Sequence, residues 1–155
     1  MSENSNFVLD TVEGIKPLLI SKGFKAVTLN DVLEIAQLPR STFFEYFGSV
    51  GQLYELVLYS ELSACYQAIY TKIEGILDFD VLLEKAKKYR AQFIVESKVL
   101  SLYFQSYSKL PMRFGKLKRT VVEMEREMFL FVFSEWWKPE HNKNKESIVQ
   151  RVIQY

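Results

Sequence analysis

Arg40-Ser41-Thr42-Phe43-Phe44-Glu45-Tyr46-Phe47 decides how this chain folds. The octapeptide mixes small polar and aromatic side chains, follows directly on Gln37-Leu38-Pro39 and stops at Gly48. Proline pushes the residue before it out of helical backbone, so one helix ends near Ala36 and another opens at Arg40. The earlier of the two starts at Thr28-Leu29-Asn30-Asp31, with a hydroxyl at the cap position and a carboxylate three residues on. Leu29, Val32, Leu33 and Ala36 supply its inner face. Two short helices joined by a tight turn form a helix-turn-helix.

Working outward, Val8, Val12, Ile15, Leu18 and Leu19 recur at three- and four-residue spacing and predict a first helix from Phe7 to Lys22. Gly23 closes it, and Phe24 tucks back onto the same face. Pro17 is the anomaly there. Inside a helix it removes a hydrogen bond at a cost of about 3 kcal/mol, which predicts a kink or a late start. Downstream, Ser49 caps a long fourth helix that begins near Gln52 and runs to about Ile76. Asp78 or Asp80 starts the next, from Val81 to about Val95, and an unusually apolar helix follows from Ser97 to Lys109. A further helix spans Lys116 to Trp137, and its run Met128 to Phe133 is apolar all round, as in a helix buried between others. Lys138 to Lys145 reads as a solvated linker, and Glu146 to Tyr155 as a last amphipathic segment. The fold class is therefore all-α. A three-helix subdomain over residues 1–50 is joined by the long fourth helix to a larger helical body over residues 51–155.

The 155 residues are 48% hydrophobic, enough to bury a core. Charge is balanced, with 20 Lys+Arg against 19 Asp+Glu, so any functional charge is local. Cys65 is the single cysteine, lies in an apolar helical stretch and is expected to be a buried packing residue. Met1 to Asn6 carries no signal-peptide pattern, and no window offers the roughly 18 uncharged apolar residues of a membrane span, so a cytoplasmic protein with no membrane partner is expected. His141 is the single histidine and lies in the charged linker, away from any metal cluster or triad. Glu123 and Glu127 lie one turn apart, but Arg119 and Arg126 beside them favour a solvated face. With no phosphate-cradling glycine loop either, no enzyme, metal site or cofactor is expected.

Gly23-Phe24, Thr28-x-x-Asp31, Ala36 and Thr42-Phe43-Phe44-x-Tyr46-Phe47 followed by Leu53 resemble the N-terminal DNA-binding domain of the TetR family of bacterial transcriptional regulators, over about residues 8–58. The resemblance implies that the third helix enters the major groove of double-stranded DNA and that residues 51–155 form a ligand-binding and dimerisation domain. It also implies a homodimer on a palindromic operator. Residue by residue, Asn30, Arg40, Ser41, Thr42 and Glu45 fall where family members touch DNA. Phe44 and Tyr46 fall where aromatics contact backbone or thymine methyls, while Phe43 and Phe47 fall on the inner face. The sequence departs from the family at Gln37 and Pro39, where a small residue and a serine cap are usual. Gly48 and Val50 stand where basic residues are usual, Phe44 lacks the usual hydroxyl, and Glu45 adds a negative charge. Residues 1–55 hold four basic side chains against seven acidic ones, a net of −3. Because phosphate contacts supply much of the affinity for DNA, this balance predicts weak binding or a shallow salt dependence.

In the body, aromatics on successive helices line either a core or a mostly apolar pocket. Tyr89, Phe93, Tyr103, Phe104 and Tyr107 are the candidates for holding a small apolar or aromatic ligand. Lys109, Arg113, Lys116, Lys118 and Arg119 cluster around Pro111 as a solvated loop and the start of a helix, or, as the resemblance implies, as a loop near the DNA-binding subdomain that adds phosphate contacts. The resemblance also implies that the last two helices make the dimer, so either Lys116 to Trp137 with Glu146 to Tyr155 builds it or a final helix is lacking, and Ile148, Val149, Val152 and Ile153 are then expected to be exposed and to seek a partner. The reading is a ligand-responsive regulator, most simply a repressor. The alternative is a protein of the same fold with weak or lost DNA binding that acts through ligand or protein contacts.

Overall fold

The computed structural model describes residues 3–153, with side chains from residue 7 onward. Among them are eight α-helices and no strand. They are α1 (Glu3–Lys22), α2 (Leu29–Ala36), α3 (Arg40–Phe47), α4 (Val50–Ile73), α5 (Phe79–Glu96), α6 (Lys98–Ser106), α7 (Gly115–Val132) and α8 (Lys145–Val152).

The three N-terminal helices form as their sequence dictates, with one change. α1 does not start late: it runs through Pro17, which is exposed, so solvent can serve the carbonyl that the proline leaves without a donor. Gly23 closes the helix at φ 85°, and its N–H donates to the Leu19 carbonyl at 2.8 Å. Phe24 beyond it is buried edge-on against Tyr54. Gly14 lets α2 approach α1 closely, since a Cβ there would lie 3.1 Å from Ile35 Cγ2. At the start of α2 the capping box is complete. The Asp31 N–H donates to Thr28 Oγ1, and the Thr28 N–H donates to the Asp31 carboxylate.

The later helix ends shift from the sequence expectation for local reasons. Ser49 accepts from the Gln52 N–H, so α4 starts at Val50, and Gly75 at φ 83° ends that stretch before Ile76. Ser97 both ends α5 and caps α6, its hydroxyl accepting from the Leu100 N–H and donating to Glu61. α6 gives way at Tyr107–Lys109 to a 3₁₀ turn. α7 stops at Val132, short of Trp137, because the chain folds back there. The Trp136 and Trp137 indole N–H groups donate to the carbonyls of Ile76 and Leu130. Within Met128–Phe133, Phe129 and Phe133 are fully buried, but Phe131 is 81% exposed, so that run is not buried all round. The expected linker contains a 3₁₀ turn at Pro139–His141, with the His141 ring stacked 4.5 Å from Phe79.

Two apolar clusters make the core. The first joins α1, α2 and α3 to the start of α4, to α6 and to the start of α7, so α1 packs on the body as well as on its own subdomain. The second gathers the end of α4 with α5, the end of α7 and α8. Ile148, Val149, Val152 and Ile153 lie buried in it. The expectation that they are exposed is overturned, because α8 folds its apolar face onto α5 and α7 of the same chain. Cys65 is buried as expected, and that burial pushes its thiol up to about 12.

Candidate nucleic-acid interface

The outward face of α3 exists because its inward face is pinned. Phe43 and Phe47, one turn apart, are buried with ring centroids 5.1 Å apart. Burial of each contributes about 1.5–3 kcal/mol. With those two positions fixed, the helical period leaves Arg40, Ser41, Phe44, Glu45 and Tyr46 exposed and Thr42 half-buried. Asn30, near the start of α2, is exposed too. The two aromatics are braced: Phe44 lies edge-on to Phe43 at 5.5 Å, and Tyr46 lies 5.2 Å from Phe7 of α1. A guanidinium on this face can bind guanine in bidentate fashion, and a carboxylate can accept from cytosine.

Local electrostatics thin out the basic side chains of the subdomain. Lys16 is held by Glu13 at 2.7 Å and Glu61 at 3.1 Å, and Lys22 by Asp31 at 2.9 Å. The Lys22 hydrogen bond and the Thr28 N–H hold the Asp31 carboxyl down at about 2. Lys25 and Arg40 are exposed and make no ion pair among the described residues.

The basic loop around Pro111 does reach this subdomain. Arg113 Nη2 donates to the Lys25 carbonyl at 2.9 Å, and a cavity of about 570 Å³ opens beside that bond. Its walls come from the α1–α2 connection, the start of α4 and the start of α7. None of the five proposed ligand residues lines it. Tyr89 and Phe93 border a space of about 30 Å³ between α4 and α5, room for little more than a water molecule. Tyr103 is fully enclosed among aromatics, its hydroxyl without a hydrogen-bond partner among the described residues, with Phe104 and Tyr107 edge-on to it at 5.2 and 5.9 Å.

One group escaped the sequence reading. Glu125 is completely buried, receives both Arg90 Nε and Arg90 Nη2, and accepts from the Tyr66 hydroxyl at 2.7 Å. The signal was there in two stripes. Leu117, Val121, Glu125 and Phe129 are the buried residues of α7, and Leu82, Leu83, Ala86 and Arg90 those of α5. Each stripe carries one charge of opposite sign where an apolar residue belongs. By contrast, Glu123 lies on the solvated face as expected, paired with Arg126.

Two short helices behind a longer first one, mounted on a long fourth that runs into a helical body, define a helix-turn-helix protein of the TetR fold. The same fold is found in a solved structure from Mesorhizobium loti MAFF303099, described as a "putative TetR-family transcriptional regulator". It superposes with a TM-score of 0.62 over 87% of this chain and 68% of that one, at 15% sequence identity. No family model matches the sequence, and no curated protein matches it significantly. No described helix is long and apolar enough to cross a membrane.

Proposed function

We propose that the protein is a ligand-responsive transcription regulator that reads palindromic operator DNA as a homodimer, acting as a repressor. The observation that supports this reading most is the division of α3, with Phe43 and Phe47 locked inside and Arg40, Ser41, Phe44 and Glu45 presented outside. In this reading Arg40, Ser41, Thr42 and Glu45 address base edges and nearby phosphates. Asn30, Phe44 and Tyr46 position the helix against the backbone. Release follows from a population shift, in which a small molecule prefers a body conformation that moves the two readers out of step with successive major grooves.

Selection of random duplexes at low and at physiological salt tests the reading. Sequence-selective enrichment is expected, and no enrichment at either salt sinks it. On the selected site, Arg40→Ala is expected to weaken binding by about 1–3 kcal/mol, measured by mobility shift. Unchanged affinity would remove Arg40 from the reader. The charge pattern favours a second reading, a TetR-fold protein that acts through ligand or protein contacts. Two of the subdomain's four basic side chains are consumed by ion pairs.

A further inference from the structure

We propose that the 570 Å³ cavity between the subdomain and the body binds a small amphipathic carboxylate. The volume lies within the range of small-molecule pockets, about 300–1,000 Å³. Its walls combine apolar surface from Phe24, Val27, Phe114 and Leu117 with three cations, Lys25, Arg113 and Lys116. One carboxylate, Glu55, faces them, so the wall keeps an excess of positive charge. A neutral apolar ligand would leave those cations facing a tail that cannot replace their water. A small inorganic anion would leave the aromatic and aliphatic wall wet. A molecule with an apolar body and one carboxylate satisfies both surfaces, and a guanidinium can grip the carboxylate through two parallel hydrogen bonds.

The position gives binding a consequence. Lys25 belongs to the DNA-reading subdomain and Arg113 and Lys116 to the body, and the Arg113–Lys25 hydrogen bond crosses the joint between them. A carboxylate held between these cations exerts force on that joint directly, without a pocket deep in the body. Binding stands independently of operator reading. Its effect on DNA rests on the function proposed above.

Calorimetric titration of the full chain with decanoate, with decanol as the uncharged analogue and inorganic phosphate as the bare anion, tests the proposal. Decanoate is expected to bind at least tenfold more tightly than decanol, and phosphate not to compete. Arg113→Gln with Lys116→Gln is expected to weaken decanoate at least tenfold and leave decanol nearly unchanged. Gly51→Leu provides a variant that fills space. Gly51 lines the cavity, and a Cβ there meets nothing closer than Ser49 Oγ at 3.7 Å, so a side chain can start from this position without a clash at its first atom. It is expected to weaken decanoate while the thermal midpoint holds or rises. Absence of decanoate binding overturns the proposal, as does equal affinity for decanol, competition by phosphate, or indifference to both variants. Loss of DNA affinity in the double glutamine variant with decanoate binding intact would assign the cations to DNA backbone and overturn it too. Failure of duplex selection alone leaves the calorimetric result standing, so the two proposals fail separately.

Discussion

Gln37 holds the turn between α2 and α3 at φ 55° and ψ 45°, the left-handed conformation, while its N–H donates to the Leu33 carbonyl at 2.8 Å. An L-residue pays about 1–2 kcal/mol for that backbone, and glycine avoids it at some cost in unfolded-chain entropy. Gln37→Gly is therefore expected to stabilise the protein by up to about 1 kcal/mol in denaturant unfolding. Destabilisation would show that the glutamine side chain holds the turn. Glu125 sets the opposite case. Replacing it with Gln leaves the buried Arg90 guanidinium without its counter-charge, with an expected loss of about 3–5 kcal/mol. Replacing both partners with apolar residues, Arg90→Met with Glu125→Leu, is expected to recover most of that loss, and an equally unstable double variant would contradict the account. Gln37 stood out in the sequence because a turn residue was missing. The buried pair did not, because Arg90 and Glu125 each interrupt an apolar stripe with a single charge, and only docking of α5 on α7 joins the two.

At the scale of the element, start signals were legible and end signals less so. Thr28 and Ser49 cap the helices that the sequence assigns to them, and of the two candidates for α5 it is Asp78 that caps, because capping is a contact within four residues. α7 ends early and α8 is buried because of tertiary partners, as with the Trp136 bond to Ile76 sixty residues away and the packing of α8 on α5 and α7. Nothing local reports those. Of the seven residues placed at DNA by resemblance, six are exposed and Thr42 is half-buried, whereas the five aromatics chosen for a ligand were read from composition, which cannot separate a packed wall from an empty one. The α2 cap also gives a pH signature. Asp31 titrates near 2 in the folded chain against an ordinary value of 3.8, so its ionised form stabilises the fold above pH 3.8. That contribution fades as pH falls from about 4 to about 2. Wild type is expected to lose more stability over that window than Asp31→Asn, which has no such proton to take up. Parallel losses would mean that the cap and the Lys22 pair survive protonation.

At the scale of the whole molecule, the continuity of the first core cluster from α1 to α7 makes α3 and the joint one mechanical unit, with the second cluster behind it. In the proposed function, the distribution of free cations sets how the unit would meet DNA. Lys25 and Arg40 are the subdomain's basic side chains outside ion pairs among the described residues. With each neutralised phosphate adding about −0.9 to the slope of log affinity against log salt, two cations give about −2 per protomer. That is shallow for a specific DNA-binding protein, and it follows from the pairing of Lys16 and Lys22 rather than from net charge. Measured slopes on the selected operator can test the count. A slope of about −2 per protomer, flattened by about 1 in Arg40→Ala, is expected if Arg40 holds a phosphate, and a slope of about −1 that Arg40→Ala leaves unchanged is expected if Arg40 reads a base. A slope much steeper than −2 would require further cations at the backbone. Arg113 and Lys116 adjoin Lys25 and would be the first suspects, which would take them away from the carboxylate proposed for the joint.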